Sequence, residues 1–92
     1  MKDVKLFQSA QIRSIWNDEA GEWFFSVVDV VGALTDSADK SAYWRKLKQR
    51  MKAEGNETVT NCHRLKLLAE DGKMRLTDTA NTEGILRIIQ SI

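Results

Sequence analysis

The stretch that decides the fold is Ser26-Val27-Val28-Asp29-Val30-Val31-Gly32-Ala33-Leu34, followed by Thr35-Asp36-Ser37-Ala38 and then by Asp39-Lys40-Ser41-Ala42-Tyr43-Trp44-Arg45-Lys46-Leu47-Lys48-Gln49-Arg50-Met51-Lys52. Its valines favour a strand, but Val27, Val30, Val31 and Leu34 fall at i, i+3, i+4 and i+7, the spacing of one helix face. Ser26 with Asp29 three residues on is a variant capping box. The spacing therefore predicts a short helix over 26–34, a four-residue break, and a second helix over 40–54 with Asp39 as its N-cap. Tyr43, Trp44, Leu47 and Met51 form the apolar stripe of that second helix. Gly55-Asn56 closes it.

Outward from this pair the chain reads as two hairpins and a last helix. Leu6 to Trp16 and Glu22 to Phe25 carry β-branched and aromatic residues and read as strands joined by the polar loop Asn17-Asp18-Glu19-Ala20-Gly21. Trp23, Phe24 and Phe25 read as sheet core, with one of them partly exposed because successive strand residues alternate in direction. Glu57 to Cys62 reads as a loop. Arg64 to Leu68 and Met74 to Thr77 alternate like a second hairpin, turned by Ala69-Glu70-Asp71-Gly72-Lys73. Asn81 or Thr82 caps a final helix whose Ile85, Ile88, Ile89 and Ile92 make an i, i+3, i+4, i+7 stripe. The expected class is α+β: two small β-hairpins with a short helix, a longer basic helix and a C-terminal helix.

Ninety-two residues suffice for a single domain, 1–92. The chain stops on an apolar residue without a capping signal, so a domain truncated at its C-terminal end is expected. No apolar run follows the N-terminus, no stretch reaches the length of a membrane span, and the one cysteine, Cys62, makes no internal disulfide. A cytoplasmic protein with no membrane partner is the expectation.

The net charge of +1 hides an asymmetry: residues 1–39 carry −4, residues 40–52 carry +6 with no acid, and residues 53–92 carry −1. The six basic groups are Lys40, Arg45, Lys46, Lys48, Arg50 and Lys52. A short helix, a break and a helix that is apolar inside and cationic outside have the outline of a helix-turn-helix, whose second helix enters the major groove. Arg45, Lys48 and Lys52 share a spacing, with Lys46 and Arg50 beside them. Lys40 and Ser41 stand at the helix start, where base-edge contacts are usual in this motif. A solvated face that merely keeps the domain soluble is the competing reading; thirteen residues without a compensating acid favour an anion-binding face. If about four of these cations meet phosphates, log K falls with log salt at a slope near −3.6.

Other chemistry is poorly supported. Tyr43 and Trp44 fit the core better than a base-stacking platform. Cys62-His63 is too small a ligand set for zinc. Asp71 and Lys73 would suit a nuclease strand, but Asp71-Gly72 is a turn signal. No glycine-rich loop leads into a helix. No cofactor, metal or catalytic residue is expected. Gly32 and Gly84 inside predicted helices call for the close approach of another element.

Ile12-Arg13-x-x-Trp16-Asn17, then Trp23-Phe24-Phe25-Ser26-Val27-Val28-Asp29-Val30-x-x-x-Leu34-Thr35-Asp36-Ser37, then Tyr43-Trp44-x-x-Leu47-Lys48, resembles the Bro-N domain. That is the N-terminal domain of baculovirus repeated-ORF proteins and of bacterial prophage antirepressors. Leu65-Lys66-Leu67-x-Ala69-Glu70-Asp71-Gly72-Lys73-Met74-Arg75-x-Thr77-Asp78 and Glu83-Gly84-x-Leu86-Arg87-Ile88-Ile89-Gln90-Ser91-Ile92 are similar to its bacterial branch. The match covers nearly the whole chain, through parts that are individually weak and specific in their order. The resemblance implies an α+β domain associated with DNA binding and phage gene regulation, in a bacterial cytoplasm. In the family the chain usually continues beyond the position of Ile92, and the position of Lys40 is often proline, compatible with Asp39 as cap. No base contacts are carried over. The expected function is a non-enzymatic regulatory domain that binds duplex DNA. The alternative is a protein-interaction module that sequesters a repressor through the acidic N-terminal third and the isoleucine stripe. A homodimer would cover that stripe.

Overall fold

The computed structural model describes residues 12–56, 62–69 and 71–92. Four strands, β1 (Ser14–Asn17), β2 (Glu22–Ser26), β3 (His63–Leu68) and β4 (Met74–Ala80), form one antiparallel sheet in the order β1-β2-β4-β3. Among the described residues three helices join them: α1 (Val27–Thr35), α2 (Lys40–Ala53) and α3 (Thr82–Ser91). The class is α+β, with both expected hairpins and all three expected helices. Two pairs, Phe25↔Ala80 and Ser26↔Thr79, stitch the hairpins together.

Local chemistry explains the elements. The β1–β2 turn places Gly21 at φ +67 and the β3–β4 turn places Gly72 at φ +84, a region that costs glycine nothing. Ser26 ends β2 and starts α1: its hydroxyl accepts the Asp29 N–H at 3.3 Å, capping the helix. Helical periodicity overrides the β preference of the valines because it puts Val27, Val30 and Val31 into the core. Asp36, at φ 53, ends α1 by returning its N–H to the Gly32 carbonyl. Asp39 caps α2 by accepting from the Ala42 N–H at 3.0 Å. Gly55 N–H to Lys52 O and Asn56 N–H to Met51 O close α2 in a Schellman motif. Asn81 caps α3 through the Gly84 N–H.

The core lies between the helices and one sheet face. It gathers Val27, Val30, Val31, Trp44, Leu47, Met51, Ala80, Ile85 and Ile88, with Ile12, Phe25, Val28 and Cys62 packed against it. Burying a side chain such as Leu47 or Met51 contributes roughly 1.5–3 kcal/mol. No helix among the described residues is long and apolar enough to cross a membrane.

Several expectations need correction. Among the described residues the first strand is only Ser14–Asn17, with Ile12 and Arg13 ahead of it; the expected strand start at Leu6 and the loop over 57–61 lie outside the described residues. Tyr43 is 37% exposed, because it sits on the outer side of the α2 stripe rather than in it. The one partly exposed aromatic expected of the Trp23-Phe24-Phe25 run is Trp23, half-exposed and in an edge-to-face pair with Trp16 at 5.7 Å. Ile89 and Ile92 are more than a third exposed, so only half of the final stripe is buried.

Candidate nucleic-acid interface

α2 advances about 100° per residue, so its buried line of Trp44, Leu47 and Met51 fixes where every cation points. Ser41, Arg45, Lys48 and Lys52 fall on one flank. Lys46 lies on the side opposite the core, and Arg50 on the other flank. The seven candidate positions therefore do not form one face: Arg45, Lys48 and Lys52 stay together as expected, while Lys46 and Arg50 are turned away from them.

Three of the six cations are engaged within the domain. Lys40 Nζ is 3.0 Å from Asp29 Oδ1. Lys48 Nζ is 2.9 Å from Asp78 Oδ2. The Arg50 guanidinium donates to the Ser91 carbonyl oxygen at the end of α3. Arg45, Lys46 and Lys52 are exposed and have no ion pair among the described residues. Ser41 is exposed at the α2 start, beside an open recess of about 610 Å³ whose walls include Arg13, Asp29, Lys40, Leu68 and Arg75.

Two carboxylates organise this side of the molecule. Asp29, almost wholly buried, accepts from the Arg13 backbone N–H at 3.0 Å and from Arg13 Nε at 2.7 Å, as well as from Lys40. Burial alone would push its pKa up; the Arg13 and Lys40 hydrogen bonds outweigh burial and hold it below the usual carboxylate range. The predicted capping box is thus half realised, since Ser26 caps as expected but Asp29 turns to Arg13. Asp78 accepts from Trp44 Nε1 at 2.8 Å and from Lys48, with Arg64 Nε 3.7 Å away. It too is raised by burial and brought below its ordinary value by Lys48 and Trp44.

Arg64 and Lys66 are residues that reasoning on helix charge misses. They stand two apart on β3, and both are exposed. The alternation Arg64-Leu65-Lys66-Leu67 is their signal in the sequence, and it becomes informative only once Arg64 and Lys48 are found facing the same carboxylate, Asp78.

The larger open recess, about 1040 Å³, is elsewhere. Its walls carry Glu19, Glu22 and Glu83 against Arg87, a balance that repels a polyanion. The remaining motifs are structural in this geometry. Asp71 accepts from the Lys73 N–H at 3.1 Å and from Arg75, which fixes the hairpin turn. His63 packs edge-to-face on Phe24 at 4.9 Å. No group of three or more potential metal ligands occurs among the described residues.

Fold and surface together define a small α+β domain that presents a cationic helix flank beside a cationic strand. The chain belongs to the BRO family: the model of that family's N-terminal domain, Bro-N, matches residues 11–92. No curated protein and no solved structure matches the chain.

Proposed function

We propose that the domain binds duplex DNA as the regulatory module of a phage or prophage antirepressor-like protein in the bacterial cytoplasm, and that it is not an enzyme. The observation that carries this reading is the flank of α2. Arg45 and Lys52 project there without internal partners among the described residues, Lys48 lies between them, and the apolar line behind holds the helix in place. Cations held on a rigid element release condensed counterions when they meet phosphates, which drives association. The family assignment supports the same reading.

The test exploits the freedom of Arg45 and Lys52. Reversing both with Arg45→Glu and Lys52→Glu breaks no ion pair among the described residues, so the fold is expected to survive. Fluorescence anisotropy on a labelled duplex should show affinity falling at least tenfold, with thermal unfolding unchanged. Unchanged affinity would refute the reading.

The second reading, a module that sequesters a repressor, draws on the exposed apolar strip of Leu86 and Ile89 on α3 and Ile92 at its C-cap. Capture of a purified repressor with no shift of DNA would favour it over the first.

A further inference from the structure

We infer that the nucleic-acid surface is two-walled: β3 supplies a second row of phosphate contacts, Arg64 and Lys66, and one sugar–phosphate backbone runs along the seam between β3 and α2. The inference rests on the DNA-binding reading above and extends it to an element outside the basic helix.

The seam is defined at both ends. At one end Lys40 of α2 pairs with Asp29, Asp29 with Arg13, and Arg13 Nη1 donates to the Leu68 carbonyl oxygen at 2.9 Å. At the other end Lys48 of α2 and Arg64 of β3 converge on the two oxygens of Asp78. Lys40 to Lys48 spans about 12 Å of helix. Arg64 to Leu68 spans about 13 Å of strand. The Lys40–Lys48 stretch of α2 is thus tied to the two ends of β3, Lys48 to Arg64 through Asp78 and Lys40 to Leu68 through Asp29 and Arg13.

Side-chain direction follows from the register. Arg64 pairs with Asp78, Lys66 with Leu76 and Leu68 with Met74, so all six share one face of the hairpin. That face is the one Trp44 and Lys48 reach through Asp78. It is open: Leu68, Met74 and Leu76 are each more than half exposed, as is the Arg64 side chain at 64%. Across the seam stand Ser41, Arg45, Lys48 and Lys52. Five cations thus line the two walls, and Asp78 is the carboxylate between them.

Asp78 forms the floor of the seam, with Lys48 at 2.9 Å and Arg64 at 3.7 Å from its oxygens. The phosphates are met above that floor, by the outward donors of the exposed Arg64 guanidinium and by Lys66 and Arg45, which have no ion pair among the described residues.

The experiment compares salt dependence. Anisotropy titrations of a labelled duplex across a salt series are run for the wild type, Arg64→Ala/Lys66→Ala, Arg45→Glu/Lys52→Glu, and Arg87→Ala as a control on exposed α3. Circular dichroism and thermal unfolding check each fold; Trp44 and Lys48 still hold Asp78 when Arg64 is removed. If the strand is a wall, the Arg64/Lys66 variant loses about 1.8 from the magnitude of the log–log slope, one counterion per cation, and Arg87→Ala loses nothing. A slope equal to wild type in the strand variant, with the α2 variant weakened, overturns the second wall and leaves the helix reading intact. A wild type that does not bind the duplex overturns both.

Discussion

Lys40 reaches Asp29 across Gly32: its Nζ lies 3.0 Å from Asp29 Oδ1, and its Cδ passes 2.7 Å from where a Gly32 Cβ would stand. Asp29 and Gly32 are three residues apart and share one side of α1, so the missing side chain is what lets the lysine stem lie down on the helix. The contact fixes the start of α2 against α1, and through Arg13 it reaches β3 as well. The domain's cationic flank is therefore aimed by a carboxylate 16 residues from Arg13 and 11 from Lys40.

Gly32→Ala should destabilise the domain, although alanine improves helix propensity by about 1 kcal/mol at an unobstructed site. The added methyl drives the Lys40 stem off α1. In a Lys40→Ala background the same substitution should cost less, and a double-mutant cycle by urea unfolding measures the coupling. Equal costs in both backgrounds would contradict the crossing.

Asp29→Asn should lower stability by about 2–3 kcal/mol. Removing one partner of a buried ion pair costs about 3–5 kcal/mol, and the partial exposure of Arg13 and Lys40 places this case below that range. Chemical denaturation reads the change directly.

The same groups set the response to acid. Asp29 and Asp78 both ionise below the ordinary carboxylate range in the folded chain, so each contributes stability that is present above the unfolded value of about 3.9 and lost as pH falls through the folded one. The urea midpoint should stay level from pH 7 to 5 and drop below about pH 4. Asp29→Asn should flatten part of that drop. A midpoint that rises on acidification from pH 5 to 3 would contradict the assignment.

Cys62 should be slow to react with a thiol reagent at neutral pH. Burial, with Asp78 nearby, pushes its thiol up to about 11, and the thiolate is the reactive form. Ellman's reagent should label native protein slowly and urea-unfolded protein at the rate of a free peptide thiol. Equal rates would show that the site is open.

Much of the fold is legible in the sequence because its signals are local. Ser26, Asp39 and Asn81 cap the helices they precede, Gly55 and Gly72 take the positive φ their turns need, and the apolar spacing places Trp44, Leu47 and Met51 inward. Gly32 also announces a close approach, but not that Lys40 makes it. What cannot be read locally is partnership over long separations. Asp78 is 30 residues from Lys48 and 34 from Trp44, and no spacing rule joins them. For the same reason the charge run reads as one uniform face until the structure shows Lys40, Lys48 and Arg50 engaged and Arg64 brought in from the sheet. Strand alternation foretells that one aromatic of Trp23-Phe24-Phe25 is exposed, but only the structure shows that it is Trp23.

The most direct test of polyanion binding by the α2 flank is the salt dependence of wild-type affinity for a short duplex. With three to five phosphates neutralised, log K should fall linearly against log salt with a slope between about −2.7 and −4.5. Affinity that is flat across the salt series, or absent even at low salt, would contradict the account.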